Sequence, residues 1–325
     1  MKAAVVRDGR VLVEERPRPE PTADQVLVRV HGAGLNRADL LQKAGFYPAP
    51  AGVPQDIPGL EFAGTVEATG PGVHALDTGD RVFGITGGGS QAEFVLTTEA
   101  QVARVPAGLD LVEAGGVPEA FVTGHDALFT QACVHPGDTV LIHAVGSGVG
   151  TAALQLAACI GCAVVGTART QEKLDRCRHL GLTHGVLAPR DLDVDALAAA
   201  VLEAAGEANV IIDLVGGAYF GVDLAVAGPR GRIVIVGAMG GANAETNLLL
   251  LMSKRLEVRG TVLRSRPAHE KAAATHAFAG HVLPLLAAGT LKPVVEEVVP
   301  LDEAARAYDL LASDATFGKV ILDCR

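Results

Sequence analysis

A glycine-rich turn between an apolar segment and a helical segment constrains the fold of this chain more than any other feature. The apolar segment T-V-L-I-H-A occupies residues 139–144, and the turn V-G-S-G-V-G at 145–150 opens the helical pattern. Glycines in such a turn permit a sharp bend and let the backbone approach a pyrophosphate, which the first N–H groups of the helix then face. The strict G-x-G-x-x-G spacing is absent in either register, so an ordinary strand-to-helix turn is the alternative, and the surrounding sequence must decide.

The surrounding sequence alternates between strand-like and helical segments from Asp138 onward. Short runs rich in Val and Ile recur at 163–167, 185–187, 210–214, 232–236 and 258–263. Helical periodicity is clearest at Gly150–Ile160, Gln171–Leu180, Val194–Ala205 and Ala268–Ala288. Continuous apolar strands are typical of a sheet covered on both faces, and their alternation with helices indicates parallel βαβ units. We therefore predict a doubly wound parallel sheet, a Rossmann domain, that binds a dinucleotide.

From Met1 to about Val105 the chain shows short strands separated by Gly and Pro. We expect strands at Lys2–Val6, Gln25–Ala33, Gly64–Thr69, Arg81–Gly84 and Glu93–Thr97, and no long helix before Leu111. After residue 263 we expect strands at Val294–Val299 and Gly318–Leu322 and a helix at Asp302–Ala312. The predicted fold class is α/β: a β-rich domain at 1–120, a nucleotide-binding domain at 121–263, and a segment at 264–325 that returns to the first domain.

Charge and hydropathy exclude several classes of partner. The 325 residues have a formal net charge of −10, which opposes non-specific binding to nucleic acid. No apolar run approaches the roughly 20 residues needed to cross a bilayer. Only four uncharged residues separate Lys2 from Arg7 at the N-terminus, so the chain lacks the apolar core of a signal peptide there. We expect a soluble, cytoplasmic protein that binds neither nucleic acid nor membrane.

The tip of the second strand of the nucleotide-binding pattern indicates which cofactor is preferred. Domains that bind NAD have an acidic residue about 20 residues past the glycine turn, which binds a ribose hydroxyl. Here the sequence is G-T-A-R-T-Q-E-K at 166–173, with Arg169 at the tip and Lys173 in the following helix. Either residue alone could equally be a solvated surface cation. Together, at this position, they favour a 2′-phosphate contact and therefore NADPH.

The chain as a whole resembles the zinc-independent quinone oxidoreductases of the medium-chain dehydrogenase/reductase superfamily, with its closest resemblance to the p53-inducible quinone oxidoreductase branch. The stretches that show it are Leu35–Pro48, Ile57–Val66, Val117–Thr123 with the glycine turn, and T-V-L-R-S-R at Thr261–Arg266. The resemblance implies a GroES-like catalytic domain beside the Rossmann domain. It also makes Ser147, in the middle of the turn, a mark of this branch.

The resemblance further implies that no metal is present. Zinc alcohol dehydrogenases of the superfamily have a Cys in the first of these stretches and Gly-His-Glu in the second. The matching residues here are Asn36 and Gly59-Leu60-Glu61. A catalytic zinc needs three protein ligands from Cys, His or carboxylate side chains, which Asn and Leu do not supply. We expect no zinc.

Site residues follow from the same resemblance. Asn36 and Tyr47 are expected to be catalytic and to line the cleft near the nicotinamide, with the Tyr47 phenol donating a hydrogen bond to a quinone oxygen; packing of a loop tyrosine on Pro48 is the alternative. Arg190 is a further expected contact to the 2′-phosphate. The expected cofactor contacts are Asn36, Tyr47, Thr123, Ser147, Gly148, Val149, Arg169, Lys173, Arg190, Gly237, Ala238, Met239, Gly240, Gly241, Leu263 and Arg264. Asp39, Glu61 and Asp213 are interpreted as structural carboxylates that pair locally.

The function expected from these residues is the NADPH-dependent transfer of hydride to quinones. Two alternatives stay open: an NADPH-dependent reductase of α,β-unsaturated ketones or aldehydes, and an NADPH-binding protein whose main role is not catalytic. The last strand of the nucleotide domain, around Glu257–Leu263, would be an exposed apolar edge in a monomer, and such an edge invites pairing. With the resemblance, this predicts a twofold homodimer.

Overall fold

A computed structural model describes all residues of the chain, Met1–Arg325, and the chain divides into two compact units. The first unit consists of Met1–Val122 with Leu263–Arg325, and the second unit is Thr123–Val262. From the sequence, one boundary was expected after residue 120 and the other after residue 263. The first unit is therefore discontinuous in the sequence, with the second inserted into it.

The elements have the following bounds. The strands are β1 Lys2–Arg7, β2 Arg10–Glu15, β3 Gln25–Gly34, β4 Glu61–Thr69, β5 Arg81–Ile85, β6 Phe94–Thr98, β7 Val102–Arg104, β8 Thr139–Ile142, β9 Ala163–Ala168, β10 His184–Leu187, β11 Ala208–Asp213, β12 Ala227–Ile235, β13 Glu257–Gly260, β14 Val295–Pro300 and β15 Lys319–Asp323. The α-helices are α1 Arg37–Lys43, α2 Leu111–Ala114, α3 Pro118–His125, α4 Gly148–Cys159, α5 Gln171–Arg178, α6 Val194–Ala205, α7 Tyr219–Val226, α8 Leu248–Lys254, α9 Ala268–His281, α10 Leu283–Ala287 and α11 Ala304–Ala312.

A seven-stranded sheet organises the first unit. Its order is β14-β15-β3-β4-β5-β7, with β6 also paired to β3, and only the β14–β15 pair is parallel. The strand β15, from the C-terminal end of the chain, lies directly against β3, so the returning segment completes the sheet. The core under this sheet is apolar and includes the buried residues Val28, Val30, Phe62, Val320 and Tyr308. The expected β-rich domain is confirmed.

A six-stranded parallel sheet organises the second unit, with the order β10-β9-β8-β11-β12-β13. The residues Val140, Leu141 and Ile142 of its central strand β8 are fully buried, as the continuous apolar pattern predicts. The strands next to β8 are β9 and β11, one on each side, so the chain changes direction across the sheet at β8. This confirms the doubly wound Rossmann sheet.

Several local expectations from the sequence are wrong. The helix expected at 268–288 is broken after His281, because Pro284 has no N–H to continue the hydrogen-bond ladder, and α10 starts again at Leu283. The strand β2 and the short helix α1 were not foreseen. The strand β13 ends at Gly260 and not at residue 263, and Leu263, expected in the nucleotide-binding domain, belongs to the first unit. No helix of the structure combines the length and the apolarity that a membrane span requires.

Candidate functional site

The glycine turn of the second unit is built by close backbone approach. Ser147 caps α4: its Oγ accepts the N–H of Gly150 at 3.1 Å, and its carbonyl accepts the N–H of Thr151 at 2.8 Å. A Cβ on Gly150 would lie 2.5 Å from the carbonyl oxygen of Ala144, so no larger residue fits there. The first N–H groups of a helix have no acceptor within it, so those at Gly148 and Val149 are in a position to bind an anion.

The loops that follow β11 and β12 pack backbone on backbone in the same unit. The N–H of Gly240 donates to the carbonyl of Val215 at 2.7 Å. Gly216 has a φ of +71°, and a Cβ there would lie 2.8 Å from the carbonyl oxygen of Gly237. The segment expected to contact the cofactor, Gly237 to Gly241 with Ala238 and Met239 inside it, is thus one side of a tight two-loop structure.

The tip of β9 has cations and no carboxylate. Arg169 follows the last strand residue and is exposed, while Lys173 is half-buried in the first turn of α5. Glu172 is directed along the helix toward Arg176, at 4.0 Å. Arg190 is exposed in the loop after β10, the strand next to β9. The expected 2′-phosphate residues therefore follow the carboxyl ends of two adjacent strands.

A buried polar cluster that sequence reasoning missed lies at the end of the central strand β8. The Nε2 of His143 is 2.9 Å from Oδ1 of Asp223, and its Nδ1 is 2.9 Å from Oγ1 of Thr167. Asp213 Oδ1 accepts the N–H groups of the two residues that follow Leu214, at 2.8 Å each, and so fixes the loop after β11. Burial raises the pKa of Asp223 to about 6; the hydrogen bond from His143 opposes this and the neighbouring Asp213 adds to it.

The first unit has a second buried cluster around the ammonium group of Lys319. Its Nζ lies 2.5 Å from Oε1 of Glu61 and donates to Oδ1 of Asn36 at 2.8 Å and to the carbonyl of Leu35 at 2.6 Å. The Nδ2 of Asn36 donates to the same Glu61 oxygen at 3.0 Å and to the carbonyl of Gly34 at 3.3 Å. The amide of Asn36, expected to be catalytic, is therefore hydrogen-bonded inside the unit on both sides.

Two further carboxyl groups lie near this cluster. The Glu119 N–H donates to Oε2 of Glu61 at 2.8 Å, and the Glu119 side chain is half-buried. Burial, the largest cause, and the negative charge of Glu61 together raise the pKa of Glu119 to about 8, while Lys319 opposes both. Burial likewise raises the pKa of Asp39 to about 6, opposed by the N–H of Asn36. The interpretation of Asp39 as a locally paired carboxylate agrees with the N–H groups it accepts.

Arg264 and Tyr47 form a stacked pair in the first unit. The guanidinium of Arg264 lies 4.9 Å from the centre of the Tyr47 ring and donates to the Tyr47 carbonyl at 3.0 Å, to the Gly87 carbonyl at 2.8 Å and to Oε1 of Gln42 at 2.6 Å. Burial raises the pKa of the half-buried Tyr47 phenol, opposed by Arg264. The phenol therefore stays protonated and can donate a hydrogen bond. The side chain of Arg264, expected at the cofactor, is buried and bonded within its own unit, next to the buried Leu263.

Lys319, Glu119, His143 and Asp223 were not identified from the sequence. Lys319 and Asn36 are 283 positions apart and His143 and Asp223 are 80 apart, so no local spacing connects them. The motif V-P-E-A-F-V-T already contained Glu119 as its only ionisable residue. That isolated acid in an apolar segment was the one available signal.

Comparison with known proteins identifies the class to which this fold and site belong. Residues 22–107 match the alcohol dehydrogenase GroES-like domain family, and residues 148–279 match the zinc-binding dehydrogenase family. The chain belongs to the medium-chain dehydrogenase/reductase superfamily and is a nucleotide-dependent oxidoreductase of small molecules.

Its relatives include quinone oxidoreductases. The chain is 34% identical to the quinone oxidoreductase of Sus scrofa over 307 residues, which cover 94% of this chain and 90% of the relative. The structure of a quinone oxidoreductase from Pseudomonas syringae pv. Tomato DC3000 superposes with a TM-score of 0.85 at 28% identity, over 99% of this chain and 100% of that one. A mycobacterial protein solved in complex with NADPH superposes with a TM-score of 0.86 at 28% identity, over 99% of both chains.

One matching family description names zinc, and the residues of this chain do not fit a zinc ion. No three His, Cys, Asp or Glu side chains anywhere in the chain are grouped so that they could hold a metal. Leu60 offers no ligand atom, and the Asn36 and Glu61 side chains both contact the ammonium of Lys319. A second cation beside that ammonium would be repelled.

The residues of the second unit do fit a dinucleotide. The glycine turn has the close approach and the free helix start that a pyrophosphate needs. The Oγ1 atom of Thr123, an expected cofactor contact, is buried without a hydrogen-bond partner in the structure. Buried hydroxyl groups without a partner are uncommon, so a ligand group is a reasonable acceptor or donor for it.

Proposed function

We propose that the protein is an NADPH-dependent, zinc-independent reductase that transfers hydride to quinones. The observation that supports this most is the buried Lys319–Glu61–Asn36 cluster, in which an ammonium contacts Asn36, the residue that matches a zinc-ligand position in the superfamily, and Glu61, the neighbour of Leu60 at the other such position. Oxidation of an alcohol uses a metal as a Lewis acid for the alkoxide. Reduction of an electron-poor acceptor such as a quinone depends less on a metal Lewis acid, because the quinone oxygens themselves take the negative charge that the hydride brings.

In this proposal the chain supplies binding and orientation. A bound NADPH supplies the hydride. The phenol of Tyr47 donates a hydrogen bond to an acceptor oxygen, and its stacking under Arg264 fixes the direction of the ring. The cluster around Lys319 holds Asn36 and the start of α1 in place. Cofactor contacts are proposed for Thr123, Ser147, Gly148, Val149, Leu263 and the segment 237–241.

The preference for NADPH rests on the tip of β9. Arg169 and Lys173, with Arg190 from the next loop, offer charge-assisted hydrogen bonds to a 2′-phosphate. The strand tip itself has no carboxylate that would repel the phosphate. Such bonds contribute on the order of 1.5–3 kcal/mol each before screening. At an exposed site only part of this is realised. We expect about a 10–100-fold preference for NADPH over NADH, which corresponds to about 1.4–2.8 kcal/mol.

We also propose that the active form is a homodimer. The strand β13 is an edge of the parallel sheet, and all four of its residues are exposed. The neighbouring helix α8 has exposed Leu248, Leu249 and Met252. An unpaired strand edge beside an exposed apolar helix face is stabilised by pairing with a second copy.

Steady-state turnover tests the function. Purified protein, dialysed against a strong chelator, is assayed with ortho-quinones and with enones, using NADPH and NADH. We expect quinone turnover that survives chelation and prefers NADPH. Faster turnover of enones supports the alternative acceptor class, and activity lost with a stoichiometric zinc contradicts the proposal.

Variants at the strand tip test the cofactor assignment. Arg169→Ala and Lys173→Ala should raise the KM for NADPH and leave that for NADH nearly unchanged, and added salt should weaken the difference. Arg178→Ala, at the exposed far end of the same helix α5, is the matched control and should change neither value. Equal effects on both cofactors would show that Arg169 and Lys173 do not contact the phosphate.

A further inference from the structure

A row of buried polar side chains crosses the carboxyl ends of three adjacent strands of the second unit, β9, β8 and β11. The Nδ1 of His143, directly after β8, lies 2.9 Å from the hydroxyl of Thr167 on β9. Its Nε2 lies 2.9 Å from Oδ1 of Asp223 on α7. Asp213, the last residue of β11, accepts with its Oδ1 two loop N–H groups at 2.8 Å each. His143, Asp213 and Asp223 are completely buried.

The two carboxyl groups of this row each have one oxygen without a hydrogen-bond donor. Oδ2 of Asp213 and Oδ2 of Asp223 are both buried and have no partner. The two side chains are within hydrogen-bonding reach of one another. Two carboxylate oxygens that face each other have no hydrogen between them and repel, and buried polar atoms without a partner are uncommon. A single proton held between the two oxygens satisfies both of them.

A proton on Asp223 completes a row in which each donor has an acceptor. In this arrangement the Thr167 hydroxyl donates to Nδ1 of His143, and the Nε2–H of His143 donates to Oδ1 of Asp223. The protonated Oδ2 of Asp223 then donates to Oδ2 of Asp213. Burial raises the pKa of Asp223 to about 6, which the hydrogen bond from His143 opposes and the charge of Asp213 assists.

Tyr219 and Arg169 are the other ionisable residues beside the row. The Tyr219 ring meets the His143 ring edge-on, with 4.8 Å between the ring centres. Burial raises the pKa of the Tyr219 phenol, which the charge of Arg169 opposes and that of Asp213 assists. The phenol therefore stays neutral over the range in which Asp223 exchanges its proton.

The charged groups on the remaining elements around α7 are bonded elsewhere. Lys254 on α8 lies 3.6 Å from Glu207 and donates to two carbonyls at the far end of α7. Arg232 on β12 lies 2.8 Å from Asp138. The buried residues of α6 are all apolar. The proton of Asp223 is therefore governed by His143 and Asp213.

Asp213 connects the row to the loops that we assign to the cofactor. Its carboxylate fixes the loop at Gly216, where a Cβ would lie 2.8 Å from the carbonyl oxygen of Gly237. Its backbone carbonyl accepts the N–H groups of Val236 and Gly237 at 2.8 and 3.3 Å. Dinucleotides bind outside the carboxyl ends of the strands where the order of a doubly wound sheet reverses, which here is at β8. A change in the bonding of Asp213 therefore reaches both loops.

We propose that the proton between Asp213 and Asp223 holds these two loops in the form that binds the dinucleotide, which makes Asp223 a positioning residue for the cofactor. This inference rests on the proposed function, because it takes the two loops as cofactor contacts. Loss of the proton leaves two buried carboxylates that repel each other, and the loop held by Asp213 is displaced. Affinity for the dinucleotide is then highest at low pH and falls as the pH rises through about 6. By linkage, binding takes up a proton above that pH.

The dissociation constant for NADPH as a function of pH is the first test. Because the 2′-phosphate itself titrates near pH 6, the quantity to compare is the ratio of the wild-type constant to that of Asp223→Asn at each pH. The asparagine keeps an oxygen for His143 and offers a permanent N–H to Asp213. We expect a ratio of about 1 near pH 5 and of about 10 near pH 8. Asp195→Asn, the same change at an exposed position of α6, is the control and should bind as wild type at both pH values.

Proton uptake on binding is the second test, and a merely structural role of Asp223 would not change it. Calorimetric titration with NADH, which has no 2′-phosphate, is repeated near pH 7 in buffers of different ionisation enthalpy. Wild type and Asp195→Asn should take up a large fraction of a proton, and Asp223→Asn should take up none.

The outcomes separate this inference from the proposed function. Wild type that binds NADH without proton uptake overturns the inference, even if Asp223→Asn does not fold. Equal proton uptake, or an equal pH dependence of NADPH binding, in wild type and folded Asp223→Asn also overturns it. Wild type that binds neither cofactor overturns the proposed function and this inference together. Protein that shows the expected linkage and reduces no quinone supports the inference and contradicts only the proposed function.

Discussion

Lys319 is the residue on which the polar interior of the first unit depends most. It is buried with Glu61, and each of the three acceptors around its ammonium lies within 2.8 Å. A buried ion pair adds little net stability compared with apolar residues, but removal of one partner leaves an uncompensated charge. Removal of either Lys319 or Glu61 alone is therefore expected to destabilise the folded protein more than removal of both charges.

The first prediction concerns this pair. Lys319→Met should lower the free energy of unfolding by about 3–5 kcal/mol, because Glu61 is left charged and buried. Adding Glu61→Gln should recover much of that loss, since the charge is then gone. Urea unfolding measures both. Lys2→Met, which breaks the exposed pair with Asp302, should have little effect, and a comparable loss there would contradict the argument.

The second prediction concerns Asp223 and pH. The folded protein holds the Asp223 proton up to about pH 6, above the ordinary value, so the stabilisation is complete at low pH and is lost as the pH rises through about 6. Asp223→Asn removes this dependence and keeps an oxygen for His143. Between about pH 4 and about pH 7 the wild type should lose about 1–3 kcal/mol relative to the variant.

Unfolding by urea across that pH range measures the difference between the two slopes. Asp175→Asn, on the exposed face of α5, is the control and should leave the slope unchanged. Parallel curves for wild type and Asp223→Asn would show that Asp223 is not protonated in the folded state at about pH 5.

At the scale of single elements, the start of α4 depends on the close approach of the helix backbone at Gly150 to the backbone of the preceding turn. The turn crosses the carbonyls of Ala144 and Val145, and Ala144 itself has a φ of +51°, a strained conformation for a residue with a side chain. Ser147 is tolerated inside the turn because its hydroxyl caps the helix. The position that must be glycine is Gly150.

The third prediction compares two glycines in helices. Gly150→Ala should lower stability by about 1–3 kcal/mol or more and weaken dinucleotide binding, because its Cβ would lie 2.5 Å from a backbone oxygen. Gly280→Ala, on the exposed face of α9 where a Cβ meets no neighbour within 4 Å, should raise stability by about 0.5–1 kcal/mol. Thermal unfolding and fluorescence titration with NADPH measure the two effects. An equally stable, fully binding Gly150→Ala would contradict the steric argument.

At the scale of the whole molecule, the chain leaves one apolar region uncovered. The exposed Leu248, Leu249 and Met252 of α8 are close in sequence to Val258 and Val262 at the edge strand, and Leu249 is 77% exposed. Large exposed apolar side chains that are clustered in this way favour binding to a protein partner. We propose a second copy of the chain as that partner, paired antiparallel along the free edge strand of the parallel sheet.

The fourth prediction is the resulting dimer. Light scattering at micromolar concentration should give twice the chain mass of 33.3 kDa, and Val258→Pro should give the chain mass itself, because proline removes an N–H from the pairing edge. Leu187→Pro, at the end of β10 on the opposite edge of the same sheet, should leave the dimer intact. A wild-type mass near 33.3 kDa would contradict the dimer.

Local sequence patterns were sufficient to predict the Rossmann sheet and most of its elements. The apolar runs at 139–144, 163–167 and 210–214 became adjacent strands, because hydrophobic periodicity and glycine geometry act over a few neighbouring residues and are visible in any short window. The antiparallel strands of the first unit were likewise found where the apolar pattern was regular, and β2 was missed where charges interrupt it.

The chemistry of the buried clusters depends on contacts between residues that are far apart in the sequence. Lys319 meets Asn36 and Glu61 because the returning strand β15 pairs with β3, and nothing near Lys319 in the sequence encodes that partner. Glu119 acquires its raised pKa from the same assembly, because desolvation and a neighbouring charge exist only after folding. Local patterns specify helices and strands, whereas the charge state of a buried group depends on its desolvation and on the charged residues that folding brings next to it.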